Sequence, residues 1–177
     1  MWIQDKFLTW WLHGPRYGWS KLHRRLFEGG FLSKPLPTVN SLEDIQACMR
    51  KIEYKKDSPW ELFDCVSYPQ RVWDKKKDDC DGYSVLAAEL LSRWNPETEP
   101  VMVTAMVAPI DDCHSVCVFK LGGNLRYFNN KELVGTGFQG YKEIVAEISK
   151  RPKKLICWDV VKPDTLEVLE FHLAENK

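Results

Sequence analysis

Apolar positions along the chain change their period near its middle. From Cys80 onward, Tyr83, Leu86, Ala87, Leu90, Leu91 and Trp94 recur at i, i+3, i+4, i+7, i+8 and i+11, which predicts a helix that stops at Asn95-Pro96. After it come short runs rich in Val, Phe and Tyr: Val101–Val107, Cys113–Leu121 and Leu125–Asn129. Pro109-Ile-Asp-Asp112 and Gly122-Gly123-Asn124 separate them, so the pattern predicts antiparallel strands. A polar loop from Lys131 to Gly140, with Gly135 and Gly137, reads as a connection that could also border a cleft as a mobile lid. A helix over residues 141–150 and strands at Leu155–Val161 and Leu166–Phe171 complete this half.

The first half is helical in character. Trp2, Ile3, Phe7, Trp10 and Trp11 lie near helical spacing before Gly14-Pro15. Gly29-Gly30 and Pro35-Leu36-Pro37 form the clearest linker, dividing a Trp-rich helical arm (1–37) from a domain (38–177). Ser41-Leu-Glu-Asp44 resembles a capping box, with Leu42, Ile45, Met49 and Ile52 on one helical face behind it. Ser58-Pro59-Trp60-Glu61 is a second helix start, and Pro69 opens a third short helix. Helices first and an antiparallel sheet after predict an α+β fold in which the helix beginning at Cys80 packs on the sheet.

Composition narrows the function classes. A chain of 177 residues makes one domain with short decorations the default, large enough for a core without staples. Lys plus Arg equals Asp plus Glu at 25 each, so no global field attracts nucleic acid, and no nucleic-acid partner is expected. Residues 1–30, in contrast, carry five basic side chains against two acidic ones among several aromatics, a pattern that suits contact with a protein or a membrane surface as well as packing on the chain's own domain. Six scattered cysteines read as thiols of a reducing compartment, and Met1 to His13 carries neither a secretory signal nor a membrane span, so the expected location is cytoplasmic. No motif calls for a cofactor. Cys113 and Cys117 alternate away from His114 on a strand, which argues against a joint zinc site, so no metal is expected.

Cys80 stands at the first turn of the clearest helix, where unpaired backbone N–H groups and the helix dipole stabilise a thiolate. Asp78, Asp79 and Asp81 oppose this, so a cationic partner is needed. His114 lies within a predicted strand and shares a face with Val116 and Val118; were that face the one the helix covers, it could meet Cys80 as general base. Asn129 or Asn130, at the end of the next strand, could orient the imidazole.

Asp79-Cys-Asp-Gly-Tyr-Ser84, a strand histidine 34 residues after the cysteine, and the Asn pair after Tyr127-Phe128 together resemble the transglutaminase-like cysteine enzymes within the papain-like group. The resemblance spans residues 41–150. It implies Cys80 as nucleophile, His114 as base and Asn129 as orienting residue, with Asn130 as the alternative. It further implies an oxyanion site made by the Cys80 N–H and a group from the preceding segment, where Gln70 and Trp73 are the evident side-chain donors. The expected activity is attack on an amide bond of a protein or peptide through a Cys80 thioester. Hydrolysis, as protease or amidase, is favoured over transglutamination because the chain lacks room for large acceptor-binding domains. The family more often has Gly at the place of Asp79 and Asp at that of Asn129; these departures suit a second reading, a catalytically silent binding or assembly module.

Overall fold

In the computed structural model, which describes residues 3–56, 65–150 and 154–174, the chain forms six α-helices and eight strands among those residues. They run α1 (Ile3–His13), α2 (Pro15–His23), α3 (Leu42–Met49), β1 (Glu53–Tyr54), α4 (Pro69–Lys75), β2 (Lys77–Asp78), α5 (Cys80–Trp94), β3 (Val101–Ala108), β4 (His114–Leu121), β5 (Asn124–Asn129), β6 (Glu132–Phe138), α6 (Tyr141–Ile148), β7 (Lys154–Lys162) and β8 (Glu167–Leu173). The helix start at Ser58-Pro59-Trp60-Glu61 lies outside the described residues.

Local chemistry sets several boundaries. Pro15 takes the first position of α2, so Gly14-Pro15 ends one helix and starts another, and a π-helical turn (Arg24–Glu28) extends the second. Ser41 caps α3 by accepting from the Asp44 N–H at 3.1 Å. The Asp44 carboxylate reaches back to the Asn40 N–H at 2.9 Å, one residue earlier than a standard capping box.

The large sheet has the order β6-β5-β4-β3-β7-β8 with every neighbouring pair antiparallel, which makes the fold α+β. Its two faces carry separate cores. Met102, Cys117, Phe119, Phe128 and Cys157 bury against Leu86, Leu90 and Leu91 of α5 and Leu8 and Leu12 of α1. Val103, Ala105, Val116, Val118, Tyr127 and Val160 bury against Ile144, Val145 and Ile148 of α6. The fully buried Val, Leu, Ile, Phe and Met side chains among these each contribute about 1.5–3 kcal/mol relative to exposure.

Of the three features that follow, the second corrects an expectation and the other two extend what the sequence led one to expect. The sheet is covered by helices on both faces, because β3 and β4 are apolar in both alternating series, not in one. The segment read as a loop or lid is mostly β6, paired with β5 through Tyr127↔Val134 and Phe128↔Leu133; as the edge strand it tolerates Gly135 and Gly137 at φ 104° and 88° beside a register shift. The arm over 1–37 has no core of its own, since Leu8, Trp11, Leu12, Tyr17 and Leu36 belong to the same buried cluster as α5. Among the described residues, no helix is long and apolar enough to cross a membrane.

Candidate active site

Cys80 is the first residue of α5. Asp79 caps that helix in extended backbone, its carboxylate accepting from the Asp81 N–H at 3.0 Å. Gly82 is required within this first turn: a Cβ there would lie 2.3 Å from Asp78 Cγ, so only glycine lets Asp78 fold back over the helix start.

The lengths and direction of α5 and β4 decide what else stands near that terminus. The 15 residues of α5 span about 22 Å and the 8 of β4 about 26 Å. At one end, Lys55 N–H donates to Asp78 O at 3.0 Å and Lys56 Nζ to Asp111 O at 2.9 Å, so one dipeptide bridges the strand entering α5 and the turn entering β4. At the other, Lys120 of β4 pairs with Glu99, just past the end of α5, at 2.5 Å. The two elements therefore run parallel, and their first residues, Cys80 and His114, sit at the same end of the molecule.

His114 Nε2 lies 2.8 Å from Asn129 Oδ1, the last residue of β5. An amide oxygen only accepts, so Nε2 donates in this bond, and in the neutral ring that leaves the lone pair on Nδ1. Asn130 follows in the left-handed region at φ 51°, with its Oδ1 buried and lacking a hydrogen-bond partner; the sequence alternative between the two asparagines resolves to Asn129 as the partner of His114. Gln46 of α3 and Arg50 just past its end hold Glu132, the residue paired across the turn from Asn129, at 2.9 and 3.2 Å.

One expectation about this geometry is overturned. The helix α5 covers the Cys117 and Phe119 face, whereas Val116 and Val118, the series that His114 continues, face α6. Alternation alone therefore does not direct His114 at α5; as the first residue of β4 it stands at the same end of the molecule as the helix start.

The acidic residues around Cys80 find separate partners. Asp81 forms a buried ion pair with Arg16 of α2, their side chains 2% and 5% exposed. Asp78 lies 3.5 Å from Arg71 of α4, and Asp79 serves as the cap. Arg16 also donates to Tyr17 Oη at 3.2 Å and to Thr104 Oγ1 at 3.4 Å. Tyr17 Oη donates to Asp159 Oδ2 at 2.7 Å, and Thr104 and Ser115 hydroxyls meet at 2.9 Å. Burial pushes the Asp159 carboxyl up to about 7, although the Tyr17 hydrogen bond and the Arg16 charge pull the other way. Burial chiefly, then the Asp159 charge, holds the Tyr17 phenol well above its ordinary value. This network was not expected. Asp159 could have been flagged as a carboxylate inside the apolar run Leu155–Val161, but nothing local pairs Arg16 with Asp81, 65 residues away.

Gln70 and Trp73 both lie in α4. Gln70 lines a cleft of about 700 Å³ together with Arg24, Tyr68, Ala88, Glu89 and Lys162; Cys80, His114 and Asn129 are not among its walls. Trp73 packs on the main core beneath the Lys76 ammonium. Both thus stand on the helix that precedes the strand leading into α5. The six cysteines are thiols. Burial raises those of Cys48 and Cys117 and takes that of Cys157 up to about 12. Among the described residues, no three His, Cys, Asp or Glu side chains cluster to hold a metal ion. The chain matches no protein-family model and no curated protein.

Proposed function

We propose that the chain is a cysteine hydrolase of papain-like, transglutaminase-like architecture that cleaves an amide bond of a protein or peptide. The observation that carries this reading is the His114 Nε2–Asn129 Oδ1 bond of 2.8 Å, made at the end of the sheet where α5 begins with Cys80. Because Asn129 fixes the Nε2–H tautomer, Nδ1 is the basic nitrogen, and it approaches Cys80 round the rim of the sheet, not across its face.

In this mechanism the Cys80 Sγ attacks the amide carbonyl carbon as its proton passes to His114 Nδ1. The carbonyl π electrons move onto oxygen, and the Cys80 backbone N–H donates to that oxyanion at the helix terminus. Collapse breaks the C–N bond, His114 returns the proton to the leaving amine, and a thioester remains on Cys80. Water, deprotonated by His114, then attacks the thioester carbon and restores the thiol. Arg16 and Arg71 contribute by neutralising Asp81 and Asp78, whose charges would otherwise raise the Cys80 thiol. The cysteine thiols fit a reducing compartment, and the cytoplasm is the proposed location.

The test is alkylation of the six cysteines against pH, read per peptide by mass spectrometry on native protein, with His114→Ala beside the wild type. Cys80 is expected to react well below the ordinary thiol pKa of about 8.5 and to lose that advantage in the variant. Cys117 and Cys157 provide slow internal references. Equal behaviour of Cys80 in both proteins sinks the reading and favours a catalytically silent module, which the Asn at 129 also suits: an amide supports an imidazolium less than a carboxylate does.

A further inference from the structure

The arm that supplies Arg16 to the interior presents a different surface outward. Ile3, Trp10, Leu26 and Phe27 are 89%, 57%, 61% and 69% exposed, and Trp19, Leu22 and Leu32 are also open to solvent. Trp19, Leu22 and Leu26 recur at i, i+3 and i+7, with Lys21 and Arg25 at i and i+4 along the flank of the same stripe.

Charge on this surface has one sign. Every exposed Lys, Arg, Asp or Glu between residues 3 and 33 is a cation, namely Lys6, Lys21 and Arg25. The two carboxylates of the segment are buried and engaged inward. Asp5 faces Lys154 at 3.5 Å, and Glu28 meets Arg71 and His23 at 3.3 Å and accepts from the Tyr68 N–H at 2.7 Å. A water-facing helix would interleave both signs; apolar side chains flanked by cations alone suit an interface that is apolar below and anionic at its edge.

We propose that α1, α2 and the turn after them form a docking face for an anionic lipid bilayer, with Trp19, Leu22, Leu26 and Phe27 entering the headgroup region and Lys21 and Arg25 facing lipid phosphates. A second copy of the chain is disfavoured by the same charges, because a two-fold contact would bring Lys21 and Arg25 toward their equivalents. A bilayer needs no shaped counterpart, which matches side chains that stand out singly. The contact is reversible and salt-sensitive, since it rests on one amphipathic surface without a second anchor. This inference is independent of the reading of Cys80.

Co-sedimentation of the full chain with mixed phosphatidylglycerol–phosphatidylcholine vesicles tests it, with pure phosphatidylcholine vesicles as the neutral arm. Binding to the anionic vesicles is expected, falling as salt rises. Lys21→Gln with Arg25→Gln should lower the partition coefficient about thirtyfold, the effect of removing two cations from an anionic surface. Leu26→Ser with Phe27→Ser should abolish binding; both positions are exposed, and an unchanged melting temperature shows that the fold persists. Absence of binding to anionic vesicles, or binding unaltered in both variants, overturns the proposal. So does a lipid-free dimer in sedimentation velocity that Leu26→Ser with Phe27→Ser dissolves, which would make the face a contact between copies. Equal binding to polyglutamate would reduce it to charge attraction and overturn it likewise.

Discussion

Replacing Arg16 by methionine keeps most of the side chain's volume and removes the guanidinium paired with Asp81 inside the protein. The pair is almost sealed, with side chains 5% and 2% exposed, so solvent cannot take over the role of the guanidinium. Removing one member of such a pair costs about 3–5 kcal/mol, because the remaining charge is left uncompensated in a poor solvent. A second route gives the same size: at pH 7, forcing a proton onto a carboxyl about three pH units above its ordinary pKa costs about 4 kcal/mol, which caps the loss. Hydrogen bonds to Tyr17 and Thr104 disappear with the guanidinium as well. With a urea slope of about 2 kcal/mol per molar, the unfolding midpoint of Arg16→Met should fall by about 2 M. Adding Asp81→Asn should recover at least half of that, since the double variant carries neither charge of the pair. A loss under about 1 kcal/mol, or a double variant no more stable than the single one, would refute the claim that Arg16 compensates Asp81.

Two further outcomes follow from neighbouring geometry. Asp159 has a folded-state carboxyl pushed to about 7, so the folded protein holds a proton that the unfolded chain releases near 4. Its contribution is complete below about pH 4 and is lost as pH rises through about 7, a span of about 4 kcal/mol; urea titrations of Asp159→Asn should lack that downward slope, and parallel curves for both proteins would contradict the assignment. Gly82→Ala should destabilise by about 1–3 kcal/mol despite alanine's better helix propensity, because the new Cβ would meet Asp78 at 2.3 Å; a melting temperature equal to or above that of the wild type would contradict the close approach.

How far the chain could be read from its residues depended on whether the deciding contact was local. The α5 helix was legible because Tyr83, Leu86, Ala87, Leu90 and Leu91 repeat at its own period, and the Ser41 cap because its partner is three residues away. β6 was not, because Gly135 and Gly137 mark a loop in isolation and become a strand only when β5 supplies the pairing. Alternation correctly separated His114, Val116 and Val118 from Cys117, yet which face the helix would cover is a tertiary fact, and it went the other way. The aspartates themselves were legible beside Cys80, while the pairing of Asp81 with Arg16 required a contact across 65 residues and was not foreseen. Of the two asparagines, local spacing gave both, and only the placement of β4 beside β5 made Asn129 the histidine's partner.

The parallel run of α5 and β4 gives the molecule two unlike poles. Entry to α5, the turn before β4 at Ile110–Asp112 and the tight turn after Asn129 all fall at the Cys80 pole; the exit from α5 at Asn95 and the Gly122-Gly123 hairpin fall at the far one. Length changes are therefore not equivalent across the loops. An insertion at Ile110–Asp112 would lie at the Cys80 pole, where the proposed chemistry would feel it, whereas an affinity handle or fluorophore spliced between Gly122 and Gly123 would sit about 25 Å away, one strand length toward the other pole. Changes at the first would act on the surroundings of Cys80, and the second offers a site for attachment remote from them.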